Sequence, residues 1–160
     1  MSEQNQIQKS NSSGNDINPS KGKLEKMSSP QITNPTTDQI ILPGNPIPLT
    51  ANSIINGTDI SHELDSSDII LAPNQTYLAI LELEINNFTF YEIGFRLNNN
   101  LLPQMGTQVI SSRDNISPIP LSTSTTFSTP TGSPSILQIF NLSYKPINIS
   151  GVTFSIIKIT

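Results

Sequence analysis

His62 is the one histidine in the 160 residues, and it stands among carboxylates at Asp59, Glu63, Asp65 and Asp68. Imidazole with oxygen ligands suits a metal. A zinc site, however, needs further nitrogen or sulfur donors, and there is no second histidine and no cysteine. The acidic spacing is also not that of a calcium loop. The simpler expectation is a solvated acidic loop and no metal site, with weak calcium binding through Asp59, Asp65 and Asp68 as the alternative. Glu82, Glu84 and Glu92 are a second constellation, because paired carboxylates can hydrolyse glycosides. Glu82 and Glu84 share one face of one strand, and Glu92 is expected across from them near Arg96. A charged ladder on a solvent face accounts for all four more simply. Serine is plentiful, but no Gly-x-Ser-x-Gly turn is present and no second histidine could complete a triad. The chain is therefore expected to be no enzyme and to carry no cofactor.

The elements that position these residues are strands. In the stretch 74–102, Tyr77, Ala79, Leu81, Leu83 and Ile85 alternate with polar residues, and Tyr91, Ile93, Phe95 and Leu97 do the same. Period two means one apolar and one polar face per strand. Asn86-Asn87 between the runs predicts a β-hairpin, and Asn98-Asn99-Asn100 predicts a further reversal. Shorter strands are expected at 39–42, around the Asn56-Gly57 turn as a hairpin within 52–60, at 68–71, at 101–102 and at 106–110. Residues 61–68 are the one place for a short helix. Residues 116–134, rich in Ser, Thr and Pro, predict a long surface loop or an irregular edge strand. Residues 135–144 and 152–159 predict two more strands, with a turn at 145–148. With no convincing amphipathic helix, the class is all-β, an antiparallel jelly-roll sandwich.

Residues 1–38 differ in composition. Gln, Asn, Ser, Lys and Pro dominate, and Ile7, Ile17, Leu24, Met27 and Ile32 are isolated apolar residues. Such a stretch buries too little apolar surface to order itself. It predicts an N-terminal arm, disordered or donated as a strand to a neighbouring subunit, with Ile7, Ile17, Leu24 and Ile32 as its anchors. The domain is then 39–160. A net charge of −4 argues against nucleic acid as a partner. No apolar run approaches the length of a membrane span, and residues 1–26 lack the apolar centre of a secretory signal. Only 12% of residues are charged, so amides and hydroxyls make a surface suited to self-association. Leu78 and Ile80 fall on the second face of the central strand, and Ile157 and Ile159 on that of the last. Apolar residues on both faces imply a second layer, supplied most simply by another copy. Burying about 400 Å² of such a patch is worth roughly 10 kcal/mol before association costs.

From residue 39 onward the order of features resembles the tumour-necrosis-factor and complement-type jelly-roll superfamily, and within it the C-terminal heads of collagen-like glycoproteins on Bacillus spore surfaces. The matching stretches are 68–77 (DIILAPNQTY) before the central strand, 95–103 (FRLNNNLLP), the strand-like 135–144, and the terminal 152–159 (VTFSIIKI). The collagen Gly-X-Y repeat is missing, and only eight glycines occur. The resemblance implies a homotrimeric head at a spore surface or in an endospore appendage, outside the cell. Leu78, Ile80, Ile157 and Ile159 would lie at the trimer interface. The arm would tether the head to spore-coat proteins or connect it to the next subunit of a fibre. The same fold also hosts lectin-like or phage-fibre-like binding heads, which is the alternative.

Overall fold

The computed structural model describes residues 28–34, 38–86, 91–103 and 118–160. These form eleven strands, and among the described residues there is no helix. In chain order the strands are β1 (Gln31–Asn34), β2 (Gln39–Ile41), β3 (Ala51–Ile54), β4 (Ile60–His62), β5 (Ile69–Leu71) and β6 (Thr76–Ile85). There follow β7 (Ile93–Leu97), β8 (Asn100–Leu101), β9 (Ile119–Ser128), β10 (Ser135–Asn141) and β11 (Ile147–Lys158). One sheet, A, runs β3-β1-β11-β6-β9, with β2 beside the first half of β11; the other, B, runs β4-β5-β10-β7-β8. Every pairing is antiparallel. The chain changes sheet between β3 and β4, β5 and β6, β6 and β7, β8 and β9, β9 and β10, and β10 and β11. This is the jelly-roll sandwich expected from the strand pattern.

The alternation does what period two requires. Tyr77, Ala79, Leu81, Leu83 and Ile85 of β6 face Phe95, Leu97, Leu137 and Ile139 of sheet B across one apolar core. Phe95 and Phe154 meet with ring centres 5.4 Å apart, joining β7 to β11 through the middle of the sandwich. Asn98 and Asn99 have φ of 50° and 66° and turn the chain from β7 into β8, a conformation asparagine tolerates better than most residues.

Several expectations are corrected. The apolar runs of β6 and β7 do not form a hairpin, because β6 lies in sheet A and β7 in sheet B. Alternation sends apolar side chains inward either way, so it cannot separate a hairpin from a crossing between layers. The same holds for β3 and β4 on either side of Asn56-Gly57. Gly57 has φ +82°, and a Cβ there would fall 2.1 Å from Ser28 Oγ, so this bend needs glycine for a close crossing of the chain. Residues 61–68 hold no helix: His62 ends β4, and a turn follows. Residues 119–128 are a regular ten-residue strand, paired with β6 at every position from Thr76↔Ser128 to Ile85↔Ile119. The expected strand at 106–110 lies outside the described residues.

The boundary at residue 38 also moves. Residues 31–34 are β1, held between β11 and β3, and Ile32 is fully buried in the core. Ser28 O and Pro30 O accept from the amides of Lys158 and Ile156, so the pairing with β11 begins before β1 itself. Ile32 is a core residue of its own subunit, and its single apolar side chain in a polar stretch gave no periodicity to read. Ile7, Ile17 and Leu24 lie outside the described residues.

Candidate assembly face

The outward face of sheet A is where a row of apolar side chains stays uncovered. Ile157 of β11 stands opposite Leu78 of β6, and Leu78 opposite Thr126 of β9. One step along, Ile54, Gln31, Ser155, Ile80 and Ser124 are in register across all five strands. Leu78, Ile80 and Ile157 are half-buried by their neighbours, and Ile54 is 50% exposed. A shallow groove runs between Ile54 and Ile157, with Ser29, Pro30, Gln31, Asn56 and Ser155 on its walls. Ile159 lies just beyond β11 and is exposed, its amide bonded to Thr76 O. The four residues singled out from sequence thus come to one region. Ile54 was not among them, because β3 alternates too briefly to reveal a face.

Around this strip the face is mostly hydroxyl. Ser122, Ser124, Thr126 and Ser128 project outward from β9, and Thr33 Oγ1 lies 3.0 Å from Ser53 Oγ. β9 ends sheet A among the described residues and carries no charged side chain, although lone edge strands are commonly protected by charge. Glu82 and Glu84 mark the limit of the strip. They sit on the outer face of β6 beside Pro120, Ser122 and Gly151, and Glu84 Oε2 accepts from Ser150 Oγ at 3.3 Å.

The expected ladder of Glu82, Glu84, Glu92 and Arg96 does not form, since the first two belong to sheet A while Glu92 and Arg96 belong to the β7 side of sheet B. Arg96 lies over the Phe140 ring, 4.1 Å from its centre. Phe140 points outward from β10 yet is only 6% exposed.

The acidic residues around His62 are dispersed too. Asp59 Oδ2 accepts from Lys158 Nζ and from Ser28 Oγ, both at 3.1 Å, clasping the segment before β1 to the end of β11. Asp68 Oδ1 accepts from Gln138 Nε2 at 2.6 Å. Among the described residues no three His, Cys, Asp or Glu side chains gather as a metal site. His62 is buried, its Nδ1 2.7 Å from Asn52 Oδ1 and its Nε2 3.0 Å from Ser66 O. Tyr77 donates to Asp59 O at 3.2 Å; burial, with the Asp59 charge adding to it, pushes its hydroxyl up to about 12. Burial also raises the Tyr91 hydroxyl.

Phe127 is buried in β9, its ring 6.0 Å from that of Tyr77. Among the described residues the exposed aromatic is Tyr144, 67% exposed after the end of β10, where sequence placed a strand.

The strand order can be compared with solved structures. An Eiger TNF from S. frugiperda superposes with a TM-score of 0.62 at 12% identity, covering 85% of this chain and 94% of the other. The fold is a TNF-like jelly roll. Murine APRIL gives a TM-score of 0.57 at 12% identity, over 84% of this chain and 100% of that one. No protein-family model matches the chain, and no curated protein matches its sequence. Identities this low establish the TNF-like fold and nothing finer. Among the described residues no helix is long and apolar enough to cross a membrane.

Proposed function

We propose that this TNF-like head is a structural, self-associating protein of the bacterial spore surface, a homotrimer closed through the outer face of sheet A. The observation that carries the self-association is the aligned strip of Leu78, Ile80, Ile157 and Ile54 on a sheet face with no covering layer among the described residues. An antiparallel sheet in a single sandwich ordinarily shows water a polar face. Here the strip is flanked by hydroxyls, which lose little on burial when they pair with each other. The spore surface rests on the resemblance of 68–77, 95–103, 135–144 and 152–159 to heads of that kind. Residues 1–27 then serve as the tether or connector. The exposed Tyr144, with Lys145 Nζ 5.4 Å from its ring centre, favours a second reading as a receptor- or ligand-binding head, since exposed aromatics anchor partners.

Light scattering of the full chain beside Ile157→Lys tests the assembly face. The wild type is expected as a trimer and the variant as a monomer with unchanged β-sheet content. A variant that remains trimeric would put the three-fold contact elsewhere. Removing residues 1–27, and not the first 38, is the correct probe of the tether, because deletion to residue 38 takes Ile32 and β1 with it. Higher-order association is expected to disappear while the trimer persists. Fibres from the shortened chain would exclude a connector in 1–27.

A further inference from the structure

His62 joins the two sheets at one edge of the sandwich, and its hydrogen bonds require more protons than a neutral ring carries. Asn52 lies on β3 in sheet A, and its Nδ2 donates to His62 O at 3.0 Å. A carbonyl can only accept, so that bond fixes the amide with Oδ1 facing the ring. Oδ1 is 2.7 Å from Nδ1, which must therefore carry hydrogen. On the other side Nε2 lies 3.0 Å from Ser66 O, another carbonyl, and that bond needs hydrogen on Nε2. Both bonds coexist only in the imidazolium.

Ser66 O is more than a surface acceptor. It also takes the amide of Leu49 at 2.9 Å, while Asp65 N donates to Leu49 O at 3.0 Å. Leu49 is fully buried, so these two bonds tie the turn after β4 to the core. Glu63 and Asp68 line a surface pocket together with His62 and Ser66, and Asp65, with φ +64°, sits in the turn. β3 and β5 bring no charged side chain to it.

We infer that His62 is a proton-operated latch: protonated, it bonds Asn52 and Ser66 together and closes the 63–67 turn onto Leu49, and on losing its proton it keeps Asn52 and releases Ser66. Asn52 is retained because its two-point pairing with His62 survives with Nδ1–H alone. Nε2 then presents a lone pair to the Ser66 carbonyl, and the turn is held only by its backbone bonds. The turn's closure thus depends on whether this one ring carries one proton or two.

Because His62 is the sole histidine, nitrogen-15 spectra of its ring in the full chain can be followed between about pH 5 and pH 8.5, together with amide exchange at Leu49 and Asp65. At the acid end both ring nitrogens are expected to be protonated. At the alkaline end the neutral ring should carry its proton on Nδ1, the less common tautomer. Protection of the two amides, corrected for intrinsic exchange, should fall about tenfold as the ring loses charge. Asn52→Ala should move the neutral ring's proton to Nε2. A wild-type neutral ring protonated on Nε2, or amide protection indifferent to the ring's charge, would overturn the latch.

Discussion

Asn141 shows how much one polar side chain can do inside an apolar sandwich. It is fully buried, its Nδ2 donates to Ile41 O at 2.9 Å and to Lys145 O at 3.1 Å, and its Oδ1 accepts from Ser143 N at 2.9 Å. Every polar atom of the amide is thereby engaged, and β2 is held to the end of β10. Asn141→Ala strands one buried amide hydrogen and two carbonyls, and a loss of about 3 kcal/mol is expected in denaturant unfolding. Tyr77 sets the response to alkali. Its hydroxyl ionises near 10 in an unfolded chain but only at about 12 in the fold. The stability this shift contributes is complete below the unfolded value and is lost as pH rises from about 10 through 12. Tyr77→Phe is expected to flatten the decline in melting temperature across that window; an unchanged slope would place the alkaline sensitivity at other groups.

At the scale of elements, β11 explains both a success and a failure of reading. Ile147 and Ile149 are buried, and so are Val152, Phe154 and Ile156. The parity changes between them because the register with β6 shifts between Ser150 and Thr153, where Gly151 has φ +57°. Sequence alternation therefore located 152–159 as a strand but stopped at the bulge and took 145–148 for a turn. One twelve-residue strand looked like a turn and a shorter strand. A Cβ at Gly151 would meet only ordinary contacts at 3.8 Å from Glu84, so Gly151→Ala should cost the left-handed backbone penalty alone, about 1 to 2 kcal/mol. A loss well above that in equilibrium unfolding would mean the bulge itself collapses. The alternation in β6 exposed its faces because ten residues give five repeats, whereas β1 and β3, four residues each, give two. The apolar strip was legible for the same reason at Leu78, Ile80 and Ile157, and Ile54 was not. The carboxylate groupings misled because nearness in sequence is not nearness across a sandwich whose successive strands change layer.

At the scale of the whole molecule, the TNF-like jelly roll leaves the outer face of sheet A as the surface that most needs a partner. It combines Ile54 of β3, Ile157 of β11, and Leu78 and Ile80 of β6, the polar Gln31 and Ser155 standing between Ile54 and Ile80, with a hydroxyl-lined, uncharged end strand. Glu82 and Glu84 confine that strip at one side, so an assembly built on it is sensitive to the placement of charge. Beyond the strip, the described residues have further exposed apolar side chains singly or in pairs, at Ile40 and Leu42, at Ile55, at Leu64, at Leu101, and at Ile70 beside Ile136, as folded proteins commonly do. The most direct measurement is the mass of the full-length protein in solution, by sedimentation equilibrium over a range of concentrations. The assembly-face account predicts a species of three times the 17.4 kDa chain mass, persisting on dilution, while a 17.4 kDa monomer at every concentration would contradict it.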